Sequence, residues 1–516
     1  MTADPGPPRA AASSALGRRL ALYTLHTASG RFFGILVWMV ITPAILKSIG
    51  VVPFAVWSLF FALTGYLSAL DFGLGMGTVR HVASSRGLGQ PEESGRYATL
   101  GVLGYLVLAL LWMALTLLLR DRALGWLRVP AASQADARTA MLLAPAVFAL
   151  AGFASITSAV AQGCGRFDVA NLVMVVASAE QLAGVFVVLH AGWGLRGLLI
   201  NVGVGWAVSG LAGVALLAWV VPDFRWRSPR ASLGRLREVF HFGGVVQITN
   251  LLGAIHYQVD KFLLARFVAL DAITTYELGA RVALSASSVP GLLLVGVLPT
   301  AAGIHAVQDL DRLRRLYERA NRYVLLAGAA MLAAALGAAD RLYLAWLGPG
   351  HHASAQTLQV LMLGIVASLS TGVGTSMTRG MGRPEIEARF AAVVVGLHVV
   401  LSLWLVPRIG YRGALVAWVA SNAVGAVSFL WRLSRIMQWP AGGVMLRPHA
   451  VPAIAAALAG AAVWGLGRLL PEAGGVLAWL IVVLLVGVSV ATVTITALVT
   501  RYVDWREARA LLAPEP

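Results

Sequence analysis

The sequence predicts an all-α polytopic membrane protein in which fourteen helices cross the bilayer and both termini are cytoplasmic. Composition is the first observation: 59% of the 516 residues are hydrophobic and 12% are charged, whereas soluble proteins average about 45–50% and about 25%. The second is that apolar residues fall in runs close to the roughly 20 residues that a spanning helix needs. The third is that basic residues concentrate in alternate connecting segments.

The spans are delimited by apolar runs and by the Gly, Pro and Arg residues between them. The mean hydropathy is +0.78, so most of the chain has the bilayer as its solvent. The fourteen predicted spans are 20–46, 52–79, 99–119, 139–162, 171–190, 198–221, 240–267, 274–304, 323–345, 356–378, 387–406, 413–431, 451–470 and 476–500. The loop 120–138 between spans 3 and 4 mixes Arg, Asp and Trp with apolar residues, which predicts a short helix lying in the membrane interface.

The basic residues indicate the orientation. The net charge is +17 and 38 of the 40 basic residues are Arg, a balance that in a soluble protein would suggest a nucleic-acid partner. With the N-terminus inside, and with Arg266, Arg341, Arg389 and Arg468 near span ends counted in the adjoining segments, 26 basic residues fall in inside segments, 11 in outside loops and 3 within spans. Cytoplasmic loops of membrane proteins carry such an excess. The charge therefore reports topology, and we expect no nucleic-acid partner.

An internal repeat divides the chain. Residues 162–166 (QGCGR) match 379–383 (RGMGR), and 194–197 (GLRG) match 410–413 (GYRG), at offsets of 217 and 216 residues. The repeat unit is six spans, so the copies share one orientation and are predicted to face each other across a central cavity. The predicted divisions are a cytoplasmic tail (1–19), an N-lobe (20–222), a cytoplasmic linker (223–239), a C-lobe (240–437), spans 13 and 14 (451–500) and a cytoplasmic tail (501–516).

The sequence carries no pattern typical of an enzyme or of a cofactor site. It has no phosphate-binding lysine loop, no H-E-x-x-H and no G-x-S-x-G. The single cysteine, Cys164, cannot form a disulfide within the chain. Histidines are scattered without ligand spacing, which favours packing or single hydrogen bonds over a metal site. We expect no enzymatic activity, no cofactor and no metal.

Arg31 is the most informative charge within a span. It lies 11 residues into span 1, about 16 Å along the helix, which is too deep for comfortable snorkelling. An ion pair with an acid on another helix would explain it, but we favour a position facing a cavity. It shares a helix face with Thr24, Thr27, Gly34, Trp38 and Thr42.

The remaining intramembrane charges lie on four other spans. Glu277 and Arg281 are spaced i, i+4 on span 8, the favourable order for a same-helix ion pair. Asp260 and Lys261 are adjacent on span 7, so they point about 100° apart, and we expect only one of them to meet span 8. Two further acids are Glu180 in span 5 and Asp71 in span 2, of which Asp71 fits a cap or a buried hydrogen bond best.

Several segments resemble a known transporter family. In the first lobe these are Ile49–Leu59 (IGVVPFAVWSL), Gly65–Leu67 (GYL) and Asp71–Gly75 (DFGLG). The second lobe contributes Tyr257–Phe262 (YQVDKF), Tyr276–Gly279 (YELG) and Leu298-Pro299. Together they resemble the polysaccharide-transporter (O-antigen flippase) family of the multidrug/oligosaccharidyl-lipid/polysaccharide exporter superfamily, over about 20–437.

The resemblance implies a flippase that moves undecaprenyl-pyrophosphate-linked oligosaccharide from the inner to the outer leaflet of the bacterial inner membrane by alternating access, for surface polysaccharide synthesis. Because a guanidinium binds phosphate oxygens in pairs, Arg31 and Arg281 are the candidate pyrophosphate ligands, with Lys261 as a further candidate cation. Asp71, Glu180, Asp260 and Glu277 are the candidate ion-coupling or cavity residues, with H⁺ and Na⁺ both open. The partners implied are membrane lipid and a polysaccharide polymerase or glycosyltransferase complex.

Other functions share the same topology. A cation-coupled multidrug antiporter and a peptidoglycan lipid II flippase belong to the same superfamily, and an unrelated solute porter could also have fourteen spans. Span 1 has an Arg and no acid, which disfavours a cationic drug. A scaffold of a polysaccharide-synthesis complex that transports nothing is the alternative from another class. Charged residues at several depths in the membrane cost free energy on insertion, and a scaffold does not require them.

Overall fold

The computed structural model describes residue 30, residues 32–232 and residues 236–503, with the side chains of 231 and 236–249 left out. All regular secondary structure in this part of the chain is helical. A helix satisfies its backbone N–H and C=O groups by internal i to i−4 hydrogen bonds, which makes it one of the two structures that can cross a bilayer. The all-α prediction is therefore confirmed over the described residues.

The described chain divides into two compact units, with the division between Ala254 and Ile255. This point lies within a helix, downstream of the predicted linker 223–239, and the predicted domain boundaries stay a prediction. The helices that begin in the first unit are α1 (Phe32–Ile49), α2 (Val51–Ala69), α3 (Leu74–Gly87), α4 (Pro91–Trp126), α5 (Ala131–Gly163), α6 (Phe167–His190), α7 (Gly194–Val220), α8 (Pro229–Ser232) and α9 (Leu236–Phe267).

The described part of the second unit, up to residue 503, contains the end of α9 and nine further helices. These are α10 (Leu270–Leu293), α11 (Val297–Ala306), α12 (Leu310–Leu347), α13 (His352–Gly380), α14 (Pro384–Ile409), α15 (Tyr411–Ile436), α16 (Ala441–Met445), α17 (Arg447–Leu469) and α18 (Gly475–Val499).

Thirteen stretches within the described residues are long and apolar enough to cross a membrane, with Leu270–Ala306 and Ala441–Leu469 each taken as one. They correspond to every predicted span except span 7. That span corresponds to α9, which has 32 residues but is not among the thirteen. The polytopic membrane architecture is therefore shown, whereas fourteen crossings and cytoplasmic termini stay predictions.

The predicted single span 52–79 is wrong, because the chain breaks between α2 and α3. Phe72 and Gly73 both have positive φ, 54° and 69°, and a left-handed residue cannot continue a right-handed helix. The Asp71 carboxylate stabilises the break by accepting a hydrogen bond from the Gly73 N–H at 2.8 Å. Span 8 is also interrupted, between α10 and α11, but here Leu294 and Gly296 keep right-handed backbone angles.

The interface helix predicted for 120–138 is also wrong. Helix α4 continues to Trp126 and α5 begins at Ala131, so the charged residues of this region extend the two spans instead of forming a separate element. Arg138 on α5 pairs with Asp121 on α4 at 3.1 Å, and such exposed pairs add little stability.

The two copies of the sequence repeat have the same local backbone. Gly165 and Gly382 adopt φ of 74° and 75°. In each case the next residue's N–H closes the helix end, from Arg166 to the Ala161 carbonyl and from Arg383 to the Thr378 carbonyl. This is the left-handed helix cap that glycine favours. The repeat read from the sequence therefore extends to the turn conformation.

The last two helices pack on α12. Small residues line this seam, and a Cβ at Gly337 would lie 2.9 Å from the backbone nitrogen of Trp464. Ala333, Ala455 and Ala459 are fully buried there. Close backbone approach through small residues is typical of helix association in membranes, so α17 and α18 are integral to the second unit.

Cysteine labelling tests the predicted topology. In a Cys164→Ala background, we expect Glu472→Cys to react with a membrane-impermeant maleimide in intact cells. Arg230→Cys should react only after permeabilisation, because the predicted orientation places it in the cytoplasm. Burial raises the pKa of the Cys164 thiol, which lowers its reactivity, and the alanine removes its background. Reaction of Arg230→Cys from outside would reverse the orientation.

Candidate functional site

A buried ion triad joins α9 to α10 in the second unit. Lys261 Nζ lies 2.6 Å from Glu277 Oε2, and Arg281 Nη2 lies 2.8 Å from Glu277 Oε1. Arg281 Nε also donates to Oε1, at 3.1 Å. The side chains of Lys261 and Glu277 are each 5% exposed, whereas that of Arg281 is 34% exposed. One carboxylate thus neutralises a fully buried cation and holds a partly accessible one.

The predicted i, i+4 pair of Glu277 and Arg281 is present. The expectation that only one of Asp260 and Lys261 meets span 8 is wrong, because both contact α10. Lys261 contacts Glu277. Asp260 accepts a hydrogen bond from the hydroxyl of Tyr276, the residue before Glu277 on α10. Asp260 and Lys261 point about 100° apart on α9, and they contact two different side chains on α10, Tyr276 and Glu277.

Asp260 is the centre of a second buried group. Its Oδ1 accepts from the Ser402 hydroxyl at 2.9 Å and its Oδ2 from the Tyr276 hydroxyl at 2.7 Å. His398 Nε2 lies 3.1 Å from the same Oδ2. Asp260 is 1% exposed and His398 is fully buried. A buried carboxylate with this many donors remains ionised at low cost.

Two histidines extend this group away from Asp260. His398 Nδ1 faces His256 Nδ1 at 3.1 Å, and His256 Nε2 faces Asn422 Nδ2 at 3.5 Å. The Trp418 ring stacks on His256 with centroids 4.5 Å apart. We use "histidine relay" below for Asp260, His398 and His256.

The sequence analysis treated these histidines as isolated, and the structure brings two of them together. A signal was available. His256 and Asp260 are spaced i, i+4, and so are His398 and Ser402, which places each pair on one helix face. The pairing of the two faces depends on residues 142 positions apart and could not be read from spacing alone.

A cavity of about 300 Å³ opens beside the histidine relay within the second unit. His256 and Asn422 form part of its wall. Its lining also includes the polar side chains of Ser287, Ser368, Thr371, Thr375 and Glu387. The cavity is therefore wettable, and it reaches the end of the relay opposite Asp260.

In the first unit, the Asp71 carboxylate accepts two hydrogen bonds. Besides capping Gly73, it accepts a hydrogen bond from the Tyr105 hydroxyl at 2.7 Å. These two bonds tie the break after α2 to α4, which agrees with the cap that the sequence analysis favoured for this residue.

Glu180 differs from Asp71. Its Oε2 is buried and makes no hydrogen bond within the described residues. The neighbouring Gln181 lines a cavity of about 250 Å³ together with Gly34 and Trp38, two members of the polar face predicted for span 1. Arg31, the third pyrophosphate candidate, lies outside the described residues. Over the described chain, no group of three or more His, Cys, Asp or Glu side chains could hold a metal ion.

Comparisons with known proteins bear on the family. Residues 131–356 match the family model described as polysaccharide biosynthesis protein. A Shigella flexneri protein described as an O-antigen transporter is 19% identical over 76% of this chain and 92% of its own length. A Haloferax volcanii protein described as a probable flippase, AglR, is 22% identical over 37% of this chain and 40% of its own.

Solved structures show the same fold. The lipid II flippase MurJ in an inward closed conformation matches with a TM-score of 0.72 at 12% identity, covering 96% of this chain and all of that one. A multidrug resistance transporter of the MATE family in an inward-facing conformation matches with a TM-score of 0.66 at 17% identity, covering 80% of this chain and 95% of that one. At these identities the likeness concerns the fold alone.

Loss of the shared carboxylate tests the ion triad. Glu277→Gln leaves Lys261 buried without its counter-charge, and breaking a buried pair costs about 3–5 kcal/mol. We expect a clear drop in the melting temperature of the purified protein in detergent. The matched control is Glu318→Gln, which removes the exposed i, i+4 pair with Arg314 and should cost under about 0.5 kcal/mol. Equal melting temperatures for the two variants would show that the triad does not stabilise the fold.

Proposed function

We propose that this chain is a membrane flippase of the polysaccharide branch of the multidrug/oligosaccharidyl-lipid/polysaccharide exporter superfamily, and that it moves undecaprenyl-pyrophosphate-linked oligosaccharide across the bacterial inner membrane. The match to the O-antigen transporter over most of both chains supports this substrate class. We place the net movement from the inner to the outer leaflet, by alternating access and with energy from an ion gradient. The exported glycan would then reach a polymerase or glycosyltransferase complex.

The exposed guanidinium of Arg281 is the observation that carries the substrate assignment. The Arg281 side chain is 34% exposed, and its Nε and Nη2 are held by the buried Glu277 carboxylate. It therefore offers a fixed positive charge to an anionic ligand. Guanidinium binds phosphate oxygens with charge-assisted hydrogen bonds. A pyrophosphate would not cross hydrocarbon without such a partner.

The other two candidate ligands have different positions in the proposal. Lys261 is 4% exposed and paired with Glu277, so we assign it to holding the carboxylate that fixes Arg281. Arg31 keeps the role that its predicted depth in span 1 suggests, as a second cation for the pyrophosphate.

Two other substrates of the superfamily are distinguishable from this one. Lipid II is also a polyprenyl-pyrophosphate-linked glycan, so a lipid II flippase would use the same arginine chemistry with another sugar. A multidrug antiporter would carry cations, which an exposed arginine repels. We therefore favour a pyrophosphate-linked substrate and place the oligosaccharide ahead of lipid II on the O-antigen transporter match.

A transport assay in proteoliposomes tests the proposal. The exposure of lipid-pyrophosphate-linked oligosaccharide at the far leaflet is measured by its modification with an added glycan-modifying enzyme. Arg281→Ala should lower the flipping rate about 10- to 100-fold, since a hydrogen bond to a charged group contributes about 1.5–3 kcal/mol. Arg281→Lys should restore part of the rate, and Arg31→Ala should act in the same direction as Arg281→Ala.

Arg408→Ala is the matched control. Arg408 lies on α14 against the Trp404 ring, and its loss should leave the rate within twofold of wild type. If Arg281→Ala flips as fast as this control, the pyrophosphate site is elsewhere. If wild type moves no oligosaccharide but moves lipid II, or exchanges a cationic drug for an ion, that alternative replaces the proposal.

A further inference from the structure

We propose that the coupling ion is a proton, that Asp260 binds it, and that His398 and His256 deliver it from the cavity beside them. This inference rests on the proposed function for its physiological role, because the proton resets the carrier. The proton-binding site itself stands on the geometry of the histidine relay.

The relay allows a single consistent placement of its hydrogens with neutral histidines. Asp260 Oδ2 requires a donor from His398, so the His398 proton is on Nε2 and its Nδ1 is an acceptor. The facing His256 Nδ1 must then carry a proton to donate across the 3.1 Å separation. His256 Nε2 is left as an acceptor, and the group opposite it is the amide nitrogen of Asn422, a donor.

The surrounding charges favour neutral histidines. The formal charges of Asp260, Lys261, Glu277 and Arg281 sum to zero, and all but Arg281 are nearly inaccessible. An imidazolium would add an unbalanced charge to this interior, which is costly in low dielectric. The titratable or charged groups packed around the relay are Tyr257 and Lys261 on α9, Tyr276, Glu277 and Arg281 on α10, Glu387 on α14 and Tyr411 on α15.

The same hydrogen bonds can pass one proton inward. A proton added at His256 Nε2 replaces the long hydrogen bond from Asn422 and makes that ring cationic, and its Nδ1 proton moves to His398 Nδ1. The Nε2 proton of His398 then moves to Asp260 Oδ2. Both rings end neutral in the opposite tautomer, and the carboxylate has become a carboxylic acid. No covalent bond other than those to hydrogen changes, so no redox partner is needed.

The open end of the relay is its cavity end. The contact of His256 Nε2 with Asn422 is 3.5 Å, longer than the 3.1 Å bonds further in. His256 and Asn422 line the cavity of about 300 Å³, whose Ser and Thr hydroxyls can order water. Asp260 itself lies beyond two rings, so a proton reaches it through His256 and His398.

The donor set disfavours sodium at Asp260. Hard cations take several oxygen ligands, whereas here the carboxylate oxygens already face three donors, from Ser402, Tyr276 and His398. A sodium ion would have to displace these donors and would meet imidazole nitrogen on one side. A proton on Oδ2 keeps the Ser402 and Tyr276 hydroxyls as donors and only reverses the hydrogen bond with His398.

Transport under two separate gradients tests the choice of ion. In the proteoliposome assay, an imposed pH gradient without sodium should accelerate wild-type flipping at least tenfold, and a sodium gradient at equal pH should not. His256→Phe, His398→Phe and Asp260→Asn should each lose the acceleration. Asp340→Asn is the matched control, because it removes an exposed Asp–His pair with His352 and should keep it. Acceleration by sodium alone, or a full pH response in His398→Phe, would overturn the proposal.

Infrared difference spectroscopy separates failure of the inference from failure of the proposed function. On acidification of the purified protein in liposomes, wild type should show a carboxylic acid C=O band that is absent in Asp260→Asn and present in Asp340→Asn. This readout needs no substrate. A band unchanged by Asp260→Asn would refute the proton site even if flipping occurs. A band lost with Asp260→Asn would support it even if the wild type flips no oligosaccharide.

Discussion

The sharing of Glu277 between Lys261 and Arg281 is the interaction on which the second unit's polar interior depends. A buried lysine is tolerated only with a counter-charge, and this carboxylate supplies it while fixing a second cation at the edge. The same contact holds α9 against α10, which brings Asp260 to Tyr276. The proposed anion ligand and the proposed proton site therefore share one helix pairing.

The polar residues of the α9–α10 pairing differ in their exposure, and we assign them different roles accordingly. Arg281 is partly exposed and suits a ligand that must come and go, whereas Asp260 is buried and is reached through two rings. In the first unit, Asp71 stabilises a backbone break and Glu180 has a buried oxygen without a hydrogen bond within the described residues. Glu180 thus remains the first unit's candidate for a coupling or cavity role.

The sequence alone was sufficient for much of the fold. Hydropathy located thirteen of the predicted spans, because the bilayer and not tertiary contacts sets the length of an apolar helix. Spacing within one helix was enough to pair Glu277 with Arg281. The sequence-based prediction failed where the structure depends on contacts that spacing and hydropathy do not report. The histidine relay needs α9 and α14 in register, and the break after α2 depends on a side chain capping its own backbone. Charge density alone also suggested a separate interface helix at 120–138, where two spans simply extend.

The glycine and alanine seam between α12 and α17 has a mechanical consequence. Because Gly337 has no room even for a methyl group against the backbone of Trp464, these helices cannot slide past one another without separating. We expect the terminal pair α17–α18 to move together with α12. Helix α11 is joined to α13 by a similar close contact, because a Cβ at Gly380 would lie 2.5 Å from the Leu298 carbonyl oxygen, so the break between α10 and α11 does not release α11 from its neighbour.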